Sequence, residues 1–580
     1  MKAKLTIAVI FSLGAIIALC CTTTGHCGSS SFRYKWVFVR NKLNKDIHVD
    51  EIRNIAKVAS EHGFNGLVLN DAGVDRLDLN SAEHLRRLKM VKQICESNHI
   101  DFIPTVFSVG YGYDVLAHDW NLAVGFQVKD ALFVVENGFA RPLKTHEVEV
   151  VNGGFEKHED NRAGGYLFHD LPGQASFIDK KVYFAGRASL RFEHSNEHKP
   201  GMGRVWSVVK VQPYKRYRLI CYVKTEEVIP TSGLMVQVYS KDKRRLGAGF
   251  LKMPIKSTSD WTRVEYRFNS QGNSEVRFFI GIWGWGSGRL WIDEISIEQD
   301  VEQELVNVLR RPGTPLEVRS AATSKLYEEG RDFEPVEDQE LNFRFDHEPP
   351  RIRIKPDGGI VEGENLLVSY YHGTRLGNGQ VSVCMSDPKV YEIWEHQLKL
   401  IEDLLKPTHY FLAMDEIRQG GTCEACRRRN IPMAEILGDC ITKQYKMIKK
   451  VNPRANVFIW ADMLDPNHNA KKNYYMMEGD LSGSWNHVPK EIIMVCWGRD
   501  IREASLKHFM NKGFGVLGAT YYDTGSMKTT QECLNSLSHV GNALGIMYTT
   551  WTGDYSLLLD FSETVGIKAW SSPPFLRLRK

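Results

Sequence analysis

At 580 residues, with 43% hydrophobic and 25% charged residues, the chain is too long for one core and has an ordinary globular composition, so two to four domains are expected. The formal net charge is only +4 and the Lys and Arg residues are spread along the chain, which argues against a nucleic-acid partner and suits a neutral substrate such as a sugar. No Walker-type loop, dinucleotide fingerprint or G-x-S-x-G occurs, which argues against nucleotide cofactors and serine chemistry.

The chain opens with Lys2 and Lys4, an apolar run from Leu5 to Leu19, then Cys20, Cys21 and small polar residues. This is the layout of a secretory signal peptide over residues 1–30, so the protein is expected to be exported, to a periplasm or beyond the cell. The run is shorter than the roughly 20 residues of a membrane span. Ile17-Ala18-Leu19-Cys20 loosely matches a bacterial lipoprotein box, which leaves a lipid anchor open.

From residue 31 to 146 strand and helix patterns alternate. Lys35 to Arg40, Gly66 to Asn70 and Asp101 to Phe107 read as strands, and His48 to His62 and Leu85 to Asn98 as helices. That spacing is the signature of βα units around a parallel sheet. Between 147 and 299 the pattern changes to short alternating strands such as Arg216 to Lys224, Gly233 to Tyr239, Trp261 to Phe268 and Leu290 to Ile297, as in a β-sandwich. Its pieces Asn152-Gly153-Gly154-Phe155-Glu156, Gly186-Arg187-Ala188-Ser189-Leu190 and Trp291-Ile292-Asp293-Glu294-Ile295 resemble the recurring segments of jelly-roll carbohydrate-binding modules. The resemblance implies that Glu156 and Asp293 share a structural calcium, a hard cation suited to oxygen ligands. Trp206, Trp283 and Trp285 are either core packing or platforms for sugar rings.

Residues 300–350 are charged and helix-compatible, a connector back to the α/β part, which resumes over 351–580. Glu364 to His372 reads as a strand, Asp387 to Leu405 as a long helix, and Tyr410 to Met414 as a strand buried on both faces that ends in the adjacent acids Asp415-Glu416. Like charges side by side must face solvent or a polar pocket, because a dry core raises their pKa values. After a helix over Ala434 to Val451, four further strands close on an aromatic or acidic residue: Trp460-x-Asp462, Trp497, Tyr521-x-Asp523, and Trp551 followed by Gly553-Asp554. About eight strands in all match a (β/α)8 TIM barrel with an inserted all-β jelly-roll sandwich, and on a barrel every such strand end faces one pocket.

The series Asp415-Glu416, Trp460-x-Asp462, Trp497, Tyr521-x-Asp523 and Trp551 resembles the active-site face of family 20 glycoside hydrolases, the β-N-acetylhexosaminidases. The resemblance implies an oligosaccharide or glycan substrate with a 2-acetamido sugar, no catalytic cofactor, and a retaining mechanism in which the acetamido oxygen attacks the anomeric carbon. It implies Glu416 as general acid/base, its pKa raised by Asp415 and apolar walls, and Asp415 as the group polarising the acetamido amide. Trp460, Trp497 and Trp551 would enclose the ring, Tyr521 would donate to the amide oxygen, and Arg40 would bind hydroxyls; Asp462, Asp523 and Asp554 are candidate sugar contacts. The chain departs from the family pattern at Phe411 to Met414, Phe107 to Gly110 and Gly553-Asp554. Another barrel glycosidase using two carboxylates, and a non-catalytic glycan-binding protein, are the alternatives. Cys423-Glu424-Ala425-Cys426, with no second C-x-x-C, favours a loop disulfide with Cys440 as a possible partner over a zinc site.

Overall fold

A computed structural model describes residues 32–193, 204–231, 233–247, 251–252, 255–282 and 286–567. The expected leader, Trp283 and Trp285 lie outside the described residues. Eight short parallel strands close into a barrel: β1 (Tyr34–Arg40), β2 (Gly66–Asn70), β3 (Asp101–Val106), β4 (His409–Leu412), β5 (Asn456–Trp460), β6 (Ile493–Cys496), β7 (Val516–Tyr521) and β8 (Gly545–Thr549). Closure is direct, with Tyr34 of β1 opposite Gly545 of β8. Strand side chains alternate between faces, and here both faces are apolar. Trp36, Phe38, Val68, Ile103, Phe411, Phe458, Leu517 and Met547 fill the interior, while Val37, Val39, Leu67, Leu69, Tyr410, Leu412, Val457 and Ile459 meet the helices outside.

The helices of eight residues or more are α1 (Asp46–Glu61), α2 (Ala82–Ser97), α3 (Pro388–Leu405), α4 (Met433–Val451), α5 (Arg502–Asn511), α6 (Lys528–Val540) and α7 (Leu558–Val565). Two of them start on a side-chain cap: Ser81 caps α2 by accepting from His84 N, and Asp387 caps α3 with Pro388 in its first turn. The fifth βα unit carries no long helix. A 3₁₀ turn, Ser484–His487, lies against α4 instead, so close that a Cβ on Gly438 would stand 2.2 Å from His487 Cβ. No helix among the described residues is long and apolar enough to cross a membrane.

The long insertion between β3 and α3 holds two further bodies. The first is the expected sandwich, two five-stranded antiparallel sheets ordered 259–269, 216–229, 287–299, 189–192, 176–179 and 251–252, 234–240, 275–282, 204–210, 167–168. Leu190, Tyr217, Leu219 and Val223 from one sheet face Val205, Val236, Phe278 and Ile280 from the other. The second was not foreseen. Phe126–Glu136 and Phe139–Pro142 pair with Asn365–His372, Glu317–Ser320, Leu326–Tyr327 and Ile352–Arg353 in a six-stranded antiparallel sheet. Asn365–His372 is therefore no barrel strand, the barrel's first part ends at β3, and the segment 300–350 is not a helical connector but supplies one edge strand, Leu326–Tyr327, and its neighbour Glu317–Ser320 to this sheet. The in-and-out burial of Phe126–Glu136 shows why: period-two alternation suits a one-faced antiparallel sheet rather than a barrel strand buried on both sides.

A buried polar knot joins the two insert bodies. Arg216, 2% exposed, pairs with the fully buried Asp300 at 3.0 Å, Arg267 reaches the same carboxylate at 3.1 Å, and Phe345 lies 4.5 Å beneath the Arg216 guanidinium. Tyr370 of the six-stranded sheet donates to the buried Glu304 beside it.

Candidate active site

All eight strand ends point to one rim, and the loops there surround a pocket of about 340 Å³. Its wall includes Arg40, Asp415, Glu416, Trp460, Trp497 and Trp551, residues from β1, β4, β5, β6 and β8 or the loops that follow them. Trp460 stands on Phe38 and Phe411, at ring distances of 5.7 and 4.9 Å, and Trp551 lies 6.3 Å from Trp460, so the barrel core supports an indole wall. Arg40 is paired with Asp71. A second hollow of about 330 Å³ shares Arg40, Asp71 and Trp551 and is otherwise lined by Asn41, Lys42, Asn44, His48, Thr552 and Gly553.

Adjacent acids on a regular strand would point to opposite faces. Here β4 ends at Leu412, and Glu416 has φ 47, a left-handed conformation that costs a side-chain-bearing residue about 1–2 kcal/mol and turns both carboxyls into the pocket. Hydrogen bonds hold the turn: Glu416 N donates to Asp462 Oδ2 at 2.9 Å, and Gln380 Nε2 donates to Glu416 O at 2.7 Å. Gly110 passes so near that a Cβ would stand 2.6 Å from Asp415 O and 2.9 Å from Gln380 Nε2. Gly110→Ala is accordingly expected to displace the turn and lower kcat/KM at least about tenfold with the thermal midpoint little changed, as steady-state kinetics and a melting curve would report.

The two acids have opposite environments. Glu416 Oε2 is ion-paired with Arg418 Nη2 at 2.6 Å and accepts from Tyr111 Oη at 2.6 Å. Asp415 has neither partner. Burial first, then the neighbouring charges of Asp462 and Glu416, push its carboxyl up to about 8. The surroundings of Asp415 thus favour its protonated form, and those of Glu416, beside Arg418, its charged form.

Four other predicted residues stand elsewhere. Asp462 is buried beneath the pocket, with Oδ2 accepting from Glu416 N and from Asn469 Nδ2 at 2.8 Å. Tyr521 faces out of the barrel, stacked on Tyr548 at 4.5 Å with its hydroxyl donating to Asp554 at 2.7 Å. The cause is local: Tyr521, Tyr522 and Asp523 have φ values of 88, 52 and 56, and this left-handed run reverses the strand's alternation. Tyr522 takes the inner place, against the barrel interior and 6.5 Å from Trp497. Asp523 accepts from the backbone N–H groups of Trp551 at 2.7 Å and Thr552 at 3.2 Å, so it fixes the Trp551 loop rather than touching the pocket. Asp554 is occupied by Tyr521 and Ser556.

The opposite wall comes from loops after β2 and β3 that the sequence reading passed over: Asn70, Asp71, Asp75, Ser108, Tyr111 and Asp114. Asp75 is 4% exposed; its Oδ2 accepts from Ser108 N at 3.1 Å, and its buried Oδ1 has no partner. Burial pushes this carboxyl up to about 7. Asp114 pairs with Arg76 at 3.1 Å. Asn70-Asp71 at the end of β2 was a findable signal, an acid closing an apolar barrel strand just as Asp415 does.

In the sandwich, Glu156 and Asp293 do converge on one turn, but as acceptors of backbone N–H groups: Arg187 and Ala188 to Glu156, at 2.6 and 3.2 Å, and Phe184 and Ala185 to Asp293, at 2.7 and 3.2 Å. Calcium takes six to eight oxygens, and among the described residues no group of three or more His, Cys, Asp or Glu comes together to hold a metal ion. Trp206 lies outside the sandwich core, stacked on Phe279 at 5.6 Å on the sheet's other face. The eight described cysteines are all free thiols. Cys426 has Cys384, at 3.9 Å, as its neighbour rather than Cys440, and Cys423 Sγ accepts from Gly125 N and Arg311 Nη2.

No protein-family model matches the chain, and no curated protein sequence matches it. Among solved structures, a rhamnosidase from Novosphingobium sp. PP1Y aligns over 91% of this chain and 56% of its own at 10% identity, TM-score 0.33. A β-N-acetylhexosaminidase from Bacteroides fragilis NCTC 9343 aligns over 32% of this chain and 41% of its own at 14% identity, TM-score 0.24. A carbohydrate-binding module solved in complex with β-1,4-galactotriose aligns over its full length and 27% of this chain at 14% identity, TM-score 0.21. These are distant likenesses of fold to glycoside hydrolases and to carbohydrate-binding sandwiches. The class defined by the chain itself is an eight-stranded parallel α/β barrel with an antiparallel sandwich inserted after its third strand.

Proposed function

We propose that this protein is an exported glycoside hydrolase acting on 2-acetamido sugars. The observation that carries the reading is a pair of adjacent carboxyls, Glu416 ion-paired with Arg418 and Asp415 without that partner, in a pocket walled by three tryptophans. Asp415 gives its proton to the glycosidic oxygen as the bond to the anomeric carbon breaks. The Glu416 carboxylate, fixed by Arg418 and Tyr111, accepts the acetamido N–H, so that the amide oxygen closes on the anomeric carbon. Water then opens that ring, losing its proton to Asp415 and restoring both groups with retained configuration. Trp460, Trp497 and Trp551 cover the sugar faces, Arg40 and Asp71 take hydroxyls, and the second hollow beyond Trp551 receives the next sugar. Cleavage outside the cytoplasm is part of the same proposal, on the signal-peptide layout of residues 1–30.

A second reading is favoured by one observation, a third carboxyl, that of Asp75, among the residues of the facing wall. With Tyr521 turned away, no tyrosine of β7 holds the amide oxygen, and in this reading Asp75 attacks the anomeric carbon in a two-carboxylate mechanism. A panel of nitrophenyl glycosides with and without the 2-acetamido group separates the two. Strong preference for acetamido sugars, lost in Glu416→Gln, supports the first; indifference to the acetamido group with loss in Asp75→Asn supports the second; no turnover of any glycoside refutes both. In either case the rate is expected to fall as pH rises through about 8, where Asp415 gives up its proton.

A further inference from the structure

The turn that carries Glu416 is gripped from outside the barrel. Arg418, the partner of Glu416, lies over the ring of Tyr475 at 5.1 Å. Tyr475 sits in the loop after β5 with φ 50, and Asn473 two positions earlier has φ 61. A tyrosine keeps a left-handed conformation only where its surroundings hold it, at about 1–2 kcal/mol. Part of that hold is local, since Met476 N donates to Arg418 O at 3.0 Å. The sandwich adds to it. Arg245 N donates to Tyr475 O at 3.1 Å, Asn473 Nδ2 donates to Asp242 O at 2.6 Å, and the Arg245 guanidinium lies 4.4 Å from the Tyr475 ring centre. Tyr239 of the same sandwich sheet lies 5.7 Å from that guanidinium, so the arginine has an aromatic contact on its own domain as well. The hairpin presenting Asp242 and Arg245 is itself closed by Ser240 N donating to Arg244 O at 2.8 Å.

We infer that this sandwich hairpin is a working part of the barrel's active site, with Arg245 acting through Tyr475 and Arg418 as a positioning residue for the Glu416 carboxylate. The sandwich then contributes to the site by holding, together with the barrel's own contacts, the ring over which Arg418 lies. A guanidinium fits this role because it stacks on an aromatic face while its backbone N–H fixes the same residue's carbonyl. The inference rests on the hydrolase reading for its kinetic consequence but not for its structural one.

The test compares Arg245→Ala, Arg245→Lys and Tyr475→Leu in the full chain. Arg245→Ala and Tyr475→Leu are expected to lower kcat about tenfold through misplacement of the carboxylate, with KM within about twofold. Arg245→Lys, which keeps a cation over the ring, is expected to recover most of that loss. Hydrogen–deuterium exchange of residues 415–420 supplies a readout that needs no substrate: faster exchange in Arg245→Ala, near wild type in Arg245→Lys, at unchanged melting temperature. Exchange unaltered in Arg245→Ala overturns the inference, as does a loss of kcat equal in the Ala and Lys variants. A wild type that cleaves no glycoside sinks the hydrolase reading alone, and the exchange comparison still decides the role of Arg245.

Discussion

Asp415→Asn is expected to lower kcat by about a thousandfold on glycosides with poor leaving groups, and by less where the leaving group needs no proton, because a positioned general acid is worth roughly 10²–10⁴ in rate. The same substitution is expected to stabilise the protein. An aspartate of the unfolded chain titrates near 3.9, whereas burial beside Asp462 and Glu416 brings Asp415 to about 8. Between those values the unfolded chain has released the proton and the folded protein has kept it. Stability therefore falls as pH rises across that window and levels off above it. Asparagine removes this dependence. Each tenfold displacement corresponds to about 1.4 kcal/mol, and partial exposure to the pocket leaves an expected gain of about 1–3 kcal/mol at pH 8. Melting curves at pH 4 and pH 8 would read it as a variant whose advantage grows with pH. A variant less stable at both values would mean that Asp415 is a paired carboxylate and no proton donor.

Arg216→Leu is expected to be the most damaging single change outside the barrel, at about 3–5 kcal/mol, the range for removing one member of a buried ion pair. Leucine would leave Asp300 with Arg267 alone and Glu304 with only Lys215 as a neighbouring cation. Arg216→Lys is expected to recover little, since the fork that reaches Asp300 and the Gln303 carbonyl while lying on Phe345 is planar. Urea unfolding followed by tryptophan fluorescence and by proteolysis of the insert would measure both. A loss under about 1 kcal/mol would place the pair among weak, solvated ones.

Much of the barrel was legible because its strands are apolar on both faces and bounded by helical periodicity; α1, α2, α3 and α4 begin and end within three residues of where the pattern puts them. The company kept by Arg40, Asp415, Glu416, Trp460, Trp497 and Trp551 was legible for a related reason, since residues closing parallel strands share one rim. What escaped depends on backbone conformation or on side chains that double back. Nothing in Tyr521-Tyr522-Asp523 announces three left-handed residues in a row, so the wrong tyrosine was aimed at the pocket. Asp415 and Glu416 are interchangeable by position. Only the return of Arg418 to Glu416, and its absence from Asp415, give the two carboxyls different surroundings. The six-stranded sheet was hidden because its partners, Phe126–Glu136 and Asn365–His372, are separated by the whole sandwich.

That separation also shapes how the molecule is made. Tyr111 and Glu416, which share a hydrogen bond in the finished pocket, are 305 positions apart. At about 5–20 residues per second a ribosome needs on the order of tens of seconds to pass from one to the other. Throughout that interval the edges of β3 and β1 that β4 and β8 cover in the finished barrel have no partner strand, an aggregation hazard. Nascent chains stalled before residue 409 should accordingly be recovered bound to chaperones, and those carried past residue 549 should not.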